Sequence, residues 1–260
     1  MGWEIILILM GVALVAGFID AIAGGGGLIT LPALLLSGLS PVQALATNKL
    51  QSSAGSFSAT VAFFRKGLIN WKRSKWVFFA ALTGGMIGAG LATRLPDTFL
   101  QVIVPILLLC VATYFLFSPS LDGREKRAKI SRTLFLLSFV PIIGFYDGIF
   151  GPGTGSFFMV AFVLMLGSTL VDAIAETKLA NFASNIGSLL IFAFSGEMQV
   201  MIGLLMAVGA FVGAQIGAMF AVKYGSKVIR PLLIVMSVAM AINLLIKPEN
   251  PLSQWVLQVF

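Results

Sequence analysis

Apolar and polar positions fall along this chain in long blocks, not in the short periods of a soluble helix or strand. The first block runs from near Ile5 to about Leu36 and is longer than the ~20 residues that one membrane-spanning helix requires. It is interrupted by Gly24-Gly25-Gly26-Gly27, with Asp20 just ahead. Each glycine costs a helix about 1 kcal/mol relative to alanine, so the pattern predicts two helical pieces. The second piece, starting at Gly26 or Gly27, presents free backbone N–H groups, which attract anions. Further blocks predict helices over Pro41 to Phe64, Val77 to Thr93, Thr98 to Phe117, Thr169 to Phe194 and Val228 to Ile246, with another around Gly209, Gly213 and Gly217. Ser40-Pro41 opens the second of these blocks with a cap and a proline at the first helical position. The block from Leu134 to Gly167 repeats the interruption as Asp147-Gly148-Ile149-Phe150-Gly151-Pro152-Gly153-Thr154-Gly155.

The blocks are of spanning length and separated by short polar loops, which argues for helices over the short alternating strands of a barrel. Composition agrees: the chain is 58% hydrophobic and 10% charged, where a soluble domain is about 25% charged. Mean hydropathy is +1.02. The fold expected is an all-α integral membrane protein, a polytopic helix bundle of two homologous repeats, each with a Gly-broken first segment. Residues 1–120 form the first repeat, 121–132 a basic cytoplasmic linker and 133–260 the second repeat. The N-terminus has no basic leader and no later small-residue cleavage site, so the first span reads as retained.

The net charge of +7 sits mainly in the loops Arg65 to Lys75 and Arg124 to Arg132, with Trp71 and Trp76 at interfacial depth in the first. Loop topology explains that charge without a nucleic-acid partner and makes both loops cytoplasmic. If Lys223 to Arg230 is also cytoplasmic, equivalent loops of the two repeats face opposite sides and the repeats are inverted. That needs each broken segment to enter and return on one side, leaving Arg94 and Lys247 as nearly the only outer bases and both termini outside. The competing arrangement counts each broken segment as one span, giving parallel repeats and both termini inside.

Chemistry concentrates in few residues. Lys49 and Lys178 each lie in the middle of an apolar block, where a lysine costs roughly 2.5 to 3.5 kcal/mol to insert. One reading pairs them with Asp20, Asp147 or Glu176 as internal ion pairs. The other sets them face to face across the repeat interface, where Gly25, Gly26, Gly27, Gly153, Thr154 and Gly155 turn N–H groups toward one bound anion. Asn48, Gln51, Ser52, Ser53 and Ser56, with Thr177, Asn181, Ser184 and Asn185, recur at helical spacing from the lysines. They are substrate contacts or helix-to-helix hydrogen bonds. Asp20 and Asp147, like Glu176, are candidates for proton or ion coupling; the two aspartates could equally cap freed N–H groups or pair with a lysine. Gly84 and Gly88, and Gly209, Gly213 and Gly217, suit close helix approach.

Several classes drop out. There is no histidine, which removes the commonest general base and metal ligand, and Cys110 alone can form no intrachain disulfide. No catalytic residue, metal site or cofactor is expected, so the chain does not read as an enzyme. The Gly24 to Gly27 run lacks the Lys-Ser/Thr of a nucleotide loop.

The runs Gly17-Phe18-Ile19-Asp20-Ala21-Ile22-Ala23-Gly24-Gly25-Gly26-Gly27 and Thr47-Asn48-Lys49-Leu50-Gln51, with Gly148 to Gly155 and Thr177-Lys178-Leu179 followed by Asn181, resemble the TauE/SafE sulfite exporter family. The resemblance covers essentially the whole chain. It implies a multi-pass transporter of the bacterial inner membrane that carries sulfur-containing anions such as sulfite, sulfoacetate or other organosulfonates. Its partners would be the anion, the lipid bilayer, a coupling proton or sodium ion and, in an oligomer, further copies. The rival reading is a membrane assembly or anchoring protein that carries nothing, and it predicts that Lys49→Ala and Lys178→Ala preserve function.

Overall fold

A computed structural model of the chain describes residues 2–117 and 127–224. The expected span Val228 to Ile246, the Lys227 to Arg230 loop, the tail with Trp255 and most of the linker lie outside the described residues. All described secondary structure is helical: α1 (Trp3–Ala23), α2 (Gly27–Leu36), α3 (Pro41–Arg65), α4 (Trp71–Ala92), α5 (Asp97–Phe117), α6 (Arg132–Leu137), α7 (Phe139–Ile149), α8 (Thr154–Leu166), α9 (Leu170–Phe192) and α10 (Val200–Tyr224). Among the described residues, five stretches are long and apolar enough to cross a membrane: Trp3–Ala23, Trp71–Ala92, Asp97–Tyr114, Arg132–Ile149 and Val200–Ala221. Helices α3 and α9 have comparable length but carry polar residues in their middles, and those residues are buried.

Local signals set the helix ends. Ser40 and Gln43 form a reciprocal capping box at the start of α3, with Pro41 as the first helical residue. Thr169 caps α9 by accepting from the Asp172 N–H at 3.2 Å. Helix α4 begins at Trp71, six residues ahead of the Val77 start expected from hydropathy, because the Asn70 side chain caps it. The segment before the second glycine interruption is itself divided at Ser138, between α6 and α7. Pro141 has no N–H to offer the Leu137 carbonyl, and its ring crowds that position.

Contacts between named residues give the helix directions. Gly209, Gly213 and Gly217 of α10 lie in turn on Met10, Leu14 and Phe18 of α1, so the two helices run parallel. Gly203 meets Leu50, Ala210 meets Gly55 and Ser58 donates to the Phe211 carbonyl at 2.8 Å, so α3 also runs parallel to α10. Helices α1 and α3 therefore point the same way, and the short α2 returns the chain between them, with Gly26 packed back against Ala16. The second half does the same around α4. Gly84 faces Pro141, Gly88 faces Phe145 and Gly148, Ser74 meets Glu176, and Gly85 faces Ser184. Helices α7 and α9 thus both run with α4, and α8 returns between them to where Lys129 N–H donates to the Met165 carbonyl at 2.9 Å.

These contacts leave no room for side chains. A Cβ on Gly213 would collide with the Leu14 carbonyl, and one on Gly88 with the Phe145 carbonyl. Glycine at these points lets backbones approach as small residues do in membrane bundles. The consequence is a crosswise assembly in which α10 holds α1 and α3 while α4 holds α7 and α9. The two groups meet where α3 crosses α9 in the antiparallel sense: Lys49 lies against Asn185, Phe57 against Phe182 and Thr60 against the Lys178 carbonyl.

Candidate functional site

The turns that precede α2 and α8 meet at the centre of this assembly. Gly24 and Gly155 touch backbone to backbone, so that a Cβ on Gly155 would lie 2.8 Å from the Gly24 Cα. Ser156 Oγ donates to the carbonyls of Ala23 at 2.7 Å and Gly24 at 2.8 Å, tying the second turn to the end of α1. Gly27 packs on Pro152, whose carbonyl accepts from the Tyr146 hydroxyl at 2.7 Å. Gly24, Gly151 and Gly153 have φ of 69°, 97° and 84°, left-handed values that glycine adopts without steric penalty.

Both lysines are buried beside these turns, Lys49 at 1% exposure and Lys178 at 0%. Each occupies the third turn of its helix, and each is paired with the aspartate of the other half. Lys49 Nζ donates to Asp147 Oδ1 at 2.9 Å and to Asn185 Oδ1 at 3.3 Å, and Ser184 Oγ donates to Asp147 Oδ2 at 2.5 Å. Lys178 Nζ donates to the backbone carbonyl of Asp20, with Asp20 Oδ2 at 4.0 Å. The Asp20 carboxylate turns to its own helix junction, where Oδ1 accepts from Gly25 N–H at 2.9 Å and Gly26 N–H at 3.0 Å. The N–H groups of Gly25 and Gly26 are therefore taken internally. Among the described residues, Gly27 and Gly155, in the first turns of α2 and α8, have no acceptor for their N–H groups.

A small cavity opens at this junction. It is lined by Asn48, Lys49, Gln51, Ser52 and Ser56 of α3, Asn181 and Asn185 of α9, Asp20 and Asp147, Gly25, Gly26 and Gly27, and Gly151, Gly153, Thr154 and Gly155. Thr30 of α2 orders the α3 side: it donates to Asn48 Oδ1 at 2.6 Å, and Gln51 Nε2 donates to the same oxygen at 2.8 Å and to Ser52 Oγ at 2.8 Å. That arrangement fixes the Asn48 side chain, which is 2% exposed, at the cavity wall.

Five singled-out residues do not line the cavity: Ser53, Glu176, Thr177, Lys178 and Ser184. Lys178 lies behind Asp20, and Thr177 is buried with its hydroxyl unpartnered. Glu176 accepts from Arg132 at 3.2 Å and Ser74 at 2.9 Å, at the start of α4 and α6. Two residues ahead of Lys178 on a helix means about 200° around its axis, so the two side chains cannot share a face. Sequence reasoning passed over Thr30, Ser156 and Tyr146. The signal for the first two was a lone hydroxyl inside an apolar helix, where an unpaired polar group is costly. Among the described residues, no group of three or more His, Cys, Asp or Glu side chains could hold a metal ion.

Residues 9–244 match the model of the family described as Sulfite exporter TauE/SafE. The chain belongs to the TauE/SafE family. Among its TauE/SafE relatives, a protein of a Sinorhizobium species, "Probable membrane transporter protein ORF9", is 45% identical over 98% of this chain and 98% of its own. The Escherichia coli K12 protein "Probable membrane transporter protein YfcA" is 43% identical over 92% of this chain and 88% of its own. "Probable membrane transporter protein YunE" of Bacillus subtilis is 24% identical over 86% and 91%. No solved structure matches the chain. The resemblance carried by the glycine and lysine runs is thus a family membership that spans nearly the whole chain.

Proposed function

We propose that this TauE/SafE member is a secondary transporter of small anions, with sulfite, sulfoacetate or another organosulfonate as cargo, in the bacterial inner membrane. The observation that carries the reading is the junction of the two turns. Two helix starts, whose Gly27 and Gly155 N–H groups have no acceptor among the described residues, converge with the Asn48 side chain and the Lys49 ammonium on one cavity between α3 and α9. Partial positive charge at helix starts favours anions, and in transporters such broken helices form the substrate site. The anion-binding residues are Lys49, Asn48, Gln51, Ser52, Asn181, Gly27, Thr154 and Gly155, with Lys178 and Thr177 supporting from behind.

The two halves, 1–120 and 133–260, act as inverted repeats joined by a cytoplasmic linker. The antiparallel crossing of α3 and α9, which carry the equivalent lysines, supports inversion. Helix α2 rises about 15 Å over its ten residues, half of a ~30 Å hydrocarbon core, and returns to the side from which α1 came. We read each broken segment as one that enters and returns on the same side, with α2 and α8 carrying the chain back. Arg65, Lys66, Lys72, Arg73, Lys75, Lys129 and Arg132 lie at the helix ends on one side, and among the described residues Arg94 is the base at the other. The first side is cytoplasmic. Without a nucleotide motif, the driving force is an ion gradient or that of the substrate, with Asp20, Asp147 and the more distant Glu176 as coupling candidates.

The test is flux in proteoliposomes of purified protein offered sulfite, sulfoacetate, methanesulfonate, sulfate, thiosulfate and acetate. Uptake stimulated by one of the sulfur oxyanions inside, and abolished by Lys49→Ala in protein that still inserts, is the expected result. Response to cations or neutral solutes alone would overturn the anion reading.

A further inference from the structure

The two lysine–aspartate pairs are chemically alike but differently built, and the difference separates their roles. Asp20 has 20% of its side chain exposed, and its carboxylate is held by the two N–H groups of Gly25 and Gly26 whether or not Lys178 is near. Asp147 is 2% exposed and has two donors, the Lys49 ammonium and the Ser184 hydroxyl. Among the described residues, Asp20 across the cavity is the other carboxylate that shares its lining with Asp147, and, Lys49 apart, the groups packed directly on Asp147 are uncharged. Helix α4 offers Gly85, Gly88 and Ala89 around Gly148, α9 offers Asn185, and on α7 itself the Tyr146 hydroxyl is engaged with Pro152.

From this geometry we infer that Asp147, not Asp20, carries the proton that accompanies the anion. The inference rests on the anion-transport reading of the cavity. Lys49 lines that cavity, so an anion arriving there competes with Asp147 for the ammonium. When Nζ turns to the anion, Asp147 Oδ1 loses its donor and Oδ2 keeps Ser184 alone. A buried carboxylate with one hydroxyl for company is far costlier than its neutral acid. A proton from the aqueous phase, reached through the cavity, then binds Oδ1, while Lys49 stays an ammonium. One O–H bond forms on Asp147 as an aqueous acid gives up its proton, and one monovalent anion enters with one proton. On release, Lys49 returns to Asp147 and the proton leaves on the same side as the anion. Asp20 goes through the same cycle ionised, because its cap does not depend on a lysine.

The measurement is calorimetric titration of the detergent-solubilised full chain with methanesulfonate, whose sulfonate neither gains nor loses a proton near neutrality, in two buffers of different protonation enthalpy. The wild type takes up about one proton per anion bound, and Asp147→Asn takes up none. Infrared difference spectra serve if Asp147→Asn does not fold: the C=O band of a neutral carboxyl appears on methanesulfonate addition to the wild type and shifts in Ser184→Ala, which removes the hydroxyl donated to Asp147 Oδ2. Binding without proton uptake in the wild type, uptake that survives Asp147→Asn, or a band that Ser184→Ala leaves unmoved overturns the assignment and leaves the transport reading standing. Absence of any binding heat in the wild type with methanesulfonate, and with sulfite as the control, overturns both.

Discussion

Lys49 of α3 and Asp147 of α7 close an ion pair at 2.9 Å with 1% and 2% of their side-chain surfaces exposed, across an interval that contains the whole linker. A pair this deep is judged by what its loss leaves behind. Removing one partner strands a charge, at a cost of about 3 to 5 kcal/mol, whereas replacing both with apolar groups is often neutral. Lys49→Met is therefore expected to lower the unfolding temperature in detergent sharply, and Lys49→Met combined with Asp147→Leu to recover most of the loss. Flux stays abolished in both. A double variant as unstable as the single one would show that the pair is not what holds this junction.

Two glycine substitutions separate packing from propensity. Gly213→Ala drives a methyl into the Leu14 carbonyl, forces α1 from α10 and should cost about 1 to 3 kcal/mol. Gly90→Ala on α4 meets nothing within 4 Å and should gain up to about 1 kcal/mol from helix propensity. Thermal unfolding of the two variants beside wild type checks both signs.

The contact between the turns at Gly24 and Gly155 makes a functional prediction. Gly155→Ala places a Cβ 2.8 Å from the Gly24 Cα and must part the turns. Anion flux should fall at least about 10-fold, equivalent to ~1.4 kcal/mol, in protein that still inserts. Flux within two-fold of wild type would mean that the turns separate during transport without consequence.

Sidedness can be read by labelling. In a Cys110→Ser background, Arg94→Cys should react with a membrane-impermeant maleimide from outside intact cells, and Lys129→Cys after permeabilisation alone. Both residues are exposed at helix ends, so access is set by the membrane and not by burial. The reverse pattern would turn the molecule over.

Much of the scaffold was legible in the order of residues because membrane helices are written as long apolar blocks. Ser40-Pro41 marks the start of α3 through capping chemistry, and the four glycines mark the junction of α1 and α2 because no helix passes them cheaply. Asn70 and Pro141 were equally local signals, outweighed by hydropathy, which cannot see a cap inside a basic loop or a division inside an apolar run. The cavity residues on α3 and α9 were legible from their spacing around two lysines. Which carboxylate each lysine meets was not, since Lys49 with Asp20 and Lys49 with Asp147 are equally allowed by periodicity. That choice is made by the antiparallel crossing of α3 and α9, a property of the assembled chain. The capture of the Gly25 and Gly26 N–H groups by Asp20 was among the roles open to that aspartate, and the side-chain geometry selects it.

The grip of α10 on α1 and α3 has a consequence for how the protein is made. These two early helices leave the ribosome long before α10, so their glycine-matched partner is missing while α4, α5 and the linker are still being synthesised. Neither half can reach its final packing as a separate fragment. Co-expressed halves could assemble by complementation, whereas a chain truncated ahead of Val200 would leave the α1 backbone facing lipid for the protein-quality machinery to find.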